Sequence, residues 1–294
     1  MLKGIEMNII AALLALFAGA FFALTAFAQR RGLTDTDGLT GALYSIGTMA
    51  VCLWLVSPFF VDYGWFSDPI VWIFVITGIL FPATSQAMQI FSVQRLGPTL
   101  TSALGGLAPV FAVIPAILIL GEKLNLQAGL GLGLIVFAMI YSTIGTQKIP
   151  RNWPIWALAL PLGASLARGI TQPFTKLGML EIPSPIFATM VQASVSLGVI
   201  FLASSLPENR KVRRSAAEGR KWFCITGLLI TCGILSLNWA ISLGDVLLVA
   251  PIASLVPLWA LAFNILLFRV ETVGLRHLGV AVLVVLGVSL ITLR

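Results

Sequence analysis

The stretch QRLGPTLTSALGGLAPVFAVIPAILILGEKLN, residues 94–125, recurs in outline as ISLGDVLLVAPIASLVPLWALAFNILLFRVET, residues 241–272. The matched positions are Leu96-Gly97 with Leu243-Gly244, Pro109 with Pro257, and Glu122 with Glu271. The offset between the copies drifts from 147 to 149 residues, so small insertions separate them. A pattern that returns after half the chain indicates two related halves.

The composition indicates an integral membrane protein. Of the 294 residues, 59% are hydrophobic and 10% are charged, and the mean hydropathy is +1.01. A soluble domain has about 25% charged residues. Apolar runs of about 20 residues cross roughly 30 Å of hydrocarbon as helices. Ten such runs are predicted: 8–27, 39–61, 69–92, 97–120, 126–145, 153–174, 184–205, 221–242, 246–268 and 273–292.

The two halves each contain five of these runs. We therefore predict an all-α integral membrane fold of ten transmembrane helices, with one five-helix repeat over residues 1–146 and the other over 153–294. Five is an odd number, so the second repeat crosses the membrane in the opposite sense. Inverted repeats of this kind are typical of alternating-access carriers, which bind their substrate between the halves near the midplane.

The first apolar run has a second interpretation. It begins after Lys3 and ends with AFA before Gln29, which resembles a secretory signal with a small-residue cleavage site. The repeat requires this helix as the partner of the sixth run, since Gly19-Ala20 matches Gly163-Ala164. We therefore interpret it as the first membrane helix.

The repeated motif resembles the EamA-type modules of the drug/metabolite transporter superfamily. The resemblance rests on a Leu-Gly pair, a proline twelve residues later, and an apolar run ending in LGEKLN at 120–125. The second copy keeps Pro257 and Glu271 but has FRVET where LGE is usual. The resemblance covers the whole chain and implies a ten-helix carrier of small metabolites, often an exporter of amino acids or related compounds. Nucleotide-sugar and sugar-phosphate carriers belong to the same superfamily.

Arg168 is a charged residue within the sixth apolar run. Thr171, Gln172 and Thr175 follow it at helical spacing and share its face. A polar stripe on a membrane helix faces protein or water. We expect Arg168 and Gln172 to receive a carboxylate or phosphate of the substrate, since arginine forms paired hydrogen bonds to either group. The alternative is that Arg168 lies near the helix end and reaches the headgroups.

Amide and hydroxyl side chains form a second stripe. Ser85, Gln89 and Ser92 lie on the third run with Gln86 beside them, and the counterparts on the eighth run are Ser236, Asn238 and Ser242. We expect Gln86, Gln89 and Asn238 to bind substrate. The alternative is that these amides join neighbouring helices at about 0.6 kcal/mol each. Trp239 and Trp259 lie away from the loop edges and are predicted to stack against a substrate.

Prolines and glycines occur within several of the predicted helices. Pro109 and Pro115 interrupt the fourth run, and Pro251 and Pro257 the ninth, so we expect matched kinks that bend during gating. Irregular packing without movement is the alternative. The fifth run carries Gly131 and a GxxxG pair, Gly129 and Gly133, which predicts close helix packing within the fold or between two copies in a homodimer.

The ionisable residues form no motif that is typical of an enzyme. There is one histidine, His277, and no HExxH, GxSxG or Walker motif, so we expect no catalytic residues, cofactor or metal. The eleven Asp and Glu residues fall at segment ends or in loops, which argues against a mid-helix carboxylate for cationic drugs. Glu122 and Glu271 are interpreted as loop or helix-end hydrogen-bonding groups, with a coupling role as the alternative. The cysteines Cys52, Cys224 and Cys232 lack metal or redox spacing.

Two arguments about orientation conflict. Four loop Lys and Arg residues lie on the side of the termini, namely Lys3, Lys123, Lys176 and Arg294, whereas thirteen lie on the other side. The positive-inside rule therefore predicts both termini outside. The resemblance implies both termini in the cytoplasm.

These features together predict a multi-pass carrier in the cell (plasma or inner) membrane. We expect it to move a small metabolite, such as an amino acid or related anion-bearing compound, by alternating access and outward. The alternatives are a broad-specificity drug exporter and a membrane scaffold or receptor that transports nothing. The net charge of +7 comes from loop residues that flank apolar runs, so the expected partners are a small molecule and the lipid bilayer, and not nucleic acid.

Overall fold

The described chain folds into helices that are joined by short loops. A computed structural model describes residues 2–143, 154–206, 216–263 and 275–292. The helices are α1 (Leu2–Gly32), α2 (Gly38–Phe60), α3 (Val71–Gly78), α4 (Ser85–Gly105), α5 (Ala108–Leu120), α6 (Leu126–Thr143), α7 (Ala159–Glu181), α8 (Pro185–Ser205), α9 (Ala217–Leu243), α10 (Val246–Ala253), α11 (Val256–Phe263) and α12 (Leu275–Thr292). Each of the ten predicted membrane segments is mainly helical where it is described, which confirms the predicted all-α fold.

Five of the described helices are long and apolar enough to span a membrane by themselves. They are Glu6–Gly32, Gly38–Phe60, Val71–Gln89, Pro185–Ser205 and Ala217–Leu243. Other segments are divided into shorter helices. The ninth segment, for example, consists of α10 and α11, which meet at Ser254 and Leu255.

The third and fourth segments are joined by a tight reversal within α4. In a continuous helix, Ser92 and Thr101 would be about 13.5 Å apart along the axis. Their hydroxyl oxygens lie 2.6 Å apart and share a buried hydrogen bond. The chain therefore turns back between these two residues, where the sequence predicts the boundary between two membrane segments.

The helices pack in a pattern that is preserved when the two halves are exchanged. The first segment packs on the eighth and ninth (α1 on α9 and α10), and the sixth packs on the third and fourth (α7 on α4 and α5). Likewise α2 packs on α9, and its equivalent α8 packs on α3. The contacts α2–α8 and α6–α12 each join two equivalent helices, one from each half. This exchange is what a two-fold relation between five-helix repeats predicts.

Two contacts between distant segments bring together residues that ten membrane crossings would place on the same side of the membrane. Glu122 after the fourth segment bonds Lys176 at the end of the sixth and Val246 at the start of the ninth, and all three belong on the side of the termini. Arg95 lies 4.6 Å from the Trp156 ring centroid, and both belong on the other side.

The fourth and ninth segments break at matching positions. The first break is at Gly106 and Leu107, with Pro109 in the first turn of α5. The second is at Ser254 and Leu255, and Pro257 lies in the first turn of α11. Pro115 and Pro251 lie inside α5 and α10. The predicted interruptions are thus present in both halves, whereas their bending during gating stays a prediction.

A further break in the third segment was not predicted. Phe81 has non-helical dihedral angles (φ −144°, ψ 130°) and precedes Pro82. Proline has no N–H, so the carbonyl of Gly78, four residues earlier, loses its helical donor. Ser196 of α8 donates to this carbonyl at 2.6 Å, which satisfies the broken helix from outside.

Close packing of α6 uses a different glycine from the predicted GxxxG pair. Gly131 is buried against α12, where an added Cβ would lie 2.6 Å from the carbonyl oxygen of Gly287. An added Cβ at Gly129 or Gly133 would meet no atom of the described residues within 4 Å. The expectation that Gly129 and Gly133 pack closely within the fold is therefore wrong, because the rotation of α6 turns Gly131 towards α12.

We expect Gly131→Ala to destabilise the protein by about 1–3 kcal/mol, since the new methyl group must push α6 away from α12. Gly133→Ala is the matched control on the same helix. It should be neutral or stabilising by up to about 1 kcal/mol, since alanine favours helix over glycine. Thermal unfolding in detergent compares the two variants. Equal melting temperatures would contradict the contact.

Candidate functional site

Arg168 lies in the middle of α7. The helix spans Ala159–Glu181 and not the predicted 153–174, because Ile155–Leu158 forms a 3₁₀ turn and the helix continues past Lys176. Arg168 is therefore about 14 Å from one helix end and about 20 Å from the other. The interpretation that it reaches the headgroups from a nearby helix end is wrong.

The Arg168 side chain leaves α7 on the interior face. Leu166, about 200° away around the helix, is exposed, as is Leu180. The residues that share the Arg168 face, Thr171, Gln172 and Thr175, are all at least 94% buried. The predicted polar stripe thus faces protein, which its spacing indicated.

Arg168 contacts two elements of the first repeat. Its Nη2 donates to Oε1 of Gln89 on α4 at 2.6 Å. Its guanidinium carbon lies 5.8 Å from the ring centroid of Phe81, the non-helical residue of the third segment. Arg168 is half-buried and Gln89 is exposed, so the pair lies at the edge of the packed interior.

The residues on either side of Arg168 meet the break in the fourth segment. Ser165 Oγ donates to the carbonyl oxygen of Leu104 at 2.8 Å, where the helix ends. Gly169 lies against the Ala108 carbonyl, at a separation that leaves no room for a Cβ. Arg168 therefore lies at the depth of an interrupted helix, where carriers commonly place their substrate.

Three enclosed polar atoms on α4 and α7 have no hydrogen-bond partner among the described residues. They are Nε of Arg168, Nε2 of Gln86 and Oε1 of Gln172. Buried polar atoms are normally paired, so each such exception calls for a partner that the described residues do not supply. Two of these atoms are donors and one is an acceptor.

The serines of the predicted second stripe have a different role from its glutamines. Ser85 Oγ donates to the Ala164 carbonyl at 3.1 Å, and Ser92 bonds Thr101. These hydroxyl groups join neighbouring membrane segments. Gln89 accepts a hydrogen bond from Arg168, and Nε2 of Gln86 has no partner among the described residues.

Asn238 belongs to a separate buried network. Its Nδ2 donates to Thr189 Oγ1 at 2.8 Å and to Gln192 Oε1 at 3.4 Å. Gln192 Nε2 in turn donates to Thr77 at 3.0 Å and Thr175 at 2.8 Å. These bonds join α3, α7, α8 and α9, as the alternative interpretation of the amides expected, and none of them reaches Arg168. Sequence analysis missed Gln192, although it is the one amide in its apolar run.

The two predicted stacking residues differ in environment. Trp239 is 44% exposed on α9. Trp259 on α11 is half-buried and stacks on Phe263 with ring centroids 5.6 Å apart. It lines an apolar cavity of about 370 Å³ with Leu16, Leu255, Leu258, Ala262, Val288 and Ser289. This cavity lies at the break in the ninth segment, as Arg168 lies at the break in the fourth.

Glu122 is a buried carboxylate in the loop after α5. It accepts hydrogen bonds from Lys176 Nζ at 3.0 Å, Val246 N–H at 2.8 Å and Leu247 N–H at 2.9 Å. The prediction of helix-end hydrogen bonding for Glu122 is confirmed, and Glu271 lies outside the described residues. The assignment of Lys176 to a loop is wrong, since this lysine lies within α7 and pairs with Glu122.

Comparison with known proteins agrees with this architecture. The EamA-like transporter family matches residues 9–144 and again residues 155–293. An uncharacterized transporter in the cobO 3' region of Sinorhizobium sp is 32% identical over 133 residues, which cover 45% of this chain and 90% of that protein. A protein crystal structure with 15% identity shares the fold with a TM-score of 0.74, covering 98% of this chain and 96% of its own. Because the family match spans both halves, the chain is a member of the EamA-like transporter family, a multi-pass membrane transporter built from two repeats.

Proposed function

We propose that this transporter is a secondary carrier that exports a small anion-bearing metabolite, such as an amino acid or related compound, across the cell (plasma or inner) membrane. The observation that carries the proposal is Arg168. It lies in the middle of α7, faces inward, and has an enclosed Nε without a partner among the described residues. The charge has no carboxylate within 4 Å in the described part of the chain.

The electrostatics of Arg168 favour an anionic substrate. A charge taken out of water is costly unless a counter-charge compensates it. Gln89 supplies a neutral oxygen and Phe81 supplies a ring face, and neither neutralises the guanidinium. A carboxylate or phosphate would supply the missing charge and accept paired hydrogen bonds from the guanidinium.

The fold supports alternating access. Both repeats contain a broken helix, at Gly106–Leu107 and at Ser254–Leu255, and helix breaks are positions where backbone angles can change with few hydrogen bonds lost. Bending there in one repeat, followed by the matching bend in the other, would expose Arg168 first to one side and then to the other.

A broad-specificity exporter of apolar compounds is the second candidate, and the cavity at Trp259 favours it. Its lining is almost wholly apolar, and about 370 Å³ is within the range of small-molecule sites. A scaffold without transport activity is disfavoured, since it needs neither matched helix breaks nor an inward arginine that lacks a counter-ion among the described residues.

We expect carboxylate-bearing metabolites to raise the melting temperature of the purified protein, because a ligand that binds the folded state stabilises it by mass action. The screen compares amino acids, sugar phosphates and lipophilic cations at one ionic strength. Amino alcohols that lack the carboxylate are the matched control compounds. Stabilisation by lipophilic cations and by none of the anions would favour the second candidate and overturn the first.

A further inference from the structure

The Glu122 carboxylate occupies a place built for an anion. Its side chain is 4% exposed, and both of its oxygens accept a backbone N–H at the start of α10. The first N–H groups of a helix have no partner within the helix and carry its positive dipole end, so they attract anions. Lys176 adds a full positive charge at 3.0 Å. We call Lys176 and the N–H groups of Val246 and Leu247 the α10 anion site.

The rest of the site favours a single negative charge. Lys176 also donates to the carbonyl oxygen of Gly244 at 2.8 Å. Asp245 precedes α10 but makes no side-chain cap, and its carboxylate lies 3.8 Å from the Lys176 nitrogen. This second carboxylate repels a dianion more than a monoanion. The flat pair of oxygens that Glu122 presents to the two N–H groups is the geometry of a carboxylate.

Glu122 joins the two repeats through this site. It belongs to the first repeat, whereas Lys176 and α10 belong to the second. If the two repeats separate at this end during transport, the Glu122 carboxylate leaves the site. The N–H groups of Val246 and Leu247 would then lose the acceptor that Glu122 provides, and Lys176 would lose its shortest contact with a carboxylate.

The site also lies on the helix that carries Arg168. Lys176 follows Arg168 by eight residues on α7, which is about 12 Å along the axis. An anion that leaves Arg168 towards this end of the molecule therefore comes next to Lys176.

We propose that the α10 anion site binds a free monovalent carboxylate when Glu122 is withdrawn, and that Glu122 is the tethered anion that fills it while this end is closed. The site is separate from the Arg168 cluster. Binding of an anion to this site does not require transport. Only the idea that the site opens during the transport cycle rests on the proposed function.

Chemical rescue tests the site directly. We expect Glu122→Ala to lower the melting temperature, and sodium formate to raise it again along a saturable curve, because formate restores the two oxygens that alanine lacks. Formamide has the same size without the charge and should not restore it, nor should chloride at equal ionic strength. The double variant Glu122→Ala/Lys176→Met should lose the response to formate.

Glu181→Ala is the matched control, since this glutamate is exposed at the end of the same α7. It and the unsubstituted protein should respond to formate no more than to chloride. An equal response in all variants, or no response in Glu122→Ala, would overturn the proposal. Neither readout involves a transport substrate, so the Arg168 proposal stands or falls separately.

Thiol labelling keeps the test decisive if Glu122→Ala does not fold. Glu122→Gln keeps the volume of the side chain but removes the charge that holds Lys176. In a background without Cys52, Cys224 and Cys232, Leu247→Cys reports access to the site, because Leu247 is 5% exposed. We expect a water-soluble maleimide to label this cysteine several-fold faster when Glu122→Gln is also present than when Glu122 is retained. Equal rates would contradict the proposed closure.

Discussion

Arg168→Ala is expected to abolish or strongly weaken substrate-dependent transport, whereas Arg168→Lys keeps a part of it. Hydrogen bonds to charged groups contribute about 1.5–3 kcal/mol, so losing the guanidinium should weaken binding of an anionic substrate on the order of 10- to 100-fold. Lysine restores the charge but not the planar fork or the stacking on Phe81. Counterflow in proteoliposomes, with the metabolite that stabilises the purified protein, measures the effect.

The variant is expected to fold, which makes the result interpretable. Gln89, the residue that Arg168 bonds, is exposed, so its amide oxygen can bond water once the arginine is removed. Arg95→Ala is a matched control, because it removes another arginine that lies over a ring but does so at the reversal within α4. Arg168→Ala protein that transports like the unsubstituted protein at equal abundance would make Arg168 a structural residue.

The repeat and the apolar runs predicted the fold because both depend on local sequence. Run length identifies a membrane helix, and the match between 94–125 and 241–272 indicates two halves. The stripe from Arg168 to Thr175 was predictable for the same reason, since its spacing alone places the residues on one face. The boundaries of α7 were not predictable, because Lys176 reads as a loop residue unless its partner, 54 residues away in sequence, is known.

Contacts between distant helices explain the other differences. Gly129, Gly131 and Gly133 are alike in sequence, and only the rotation of α6 against α12 selects Gly131. Asn238 looked like a substrate residue because Gln192 and Thr189, its partners on α8, are invisible from its own segment. Composition and spacing thus identify which residues are polar inside the membrane, but the pairing of helices decides which of them remain free for a ligand.

Lys176→Met is expected to destabilise the folded protein by about 3–5 kcal/mol, the range for removing one partner of a buried ion pair. Methionine fills a similar volume, but the Glu122 carboxylate stays buried without its cation. The two N–H groups of α10 still hold it, which places the effect towards the lower end of the range. Denaturant unfolding in mixed micelles measures the difference. Lys221→Met is the control, because its pair with Glu218 is exposed on both sides and should contribute within about 0.5 kcal/mol.

A double substitution separates the charge from the packing. Glu122→Gln/Lys176→Met removes both charges, so no uncompensated ion is left, and it should be more stable than Lys176→Met alone even though it carries one more substitution. If Lys176→Met unfolds with the same free energy as the unsubstituted protein, the start of α10 alone holds Glu122, and Lys176 contributes nothing to the junction of the repeats. If the double variant is the least stable of the three, the pair acts through shape and hydrogen bonding and not through charge. The expected order, with the double variant between the other two, follows only when the buried carboxylate depends on the lysine for its counter-charge.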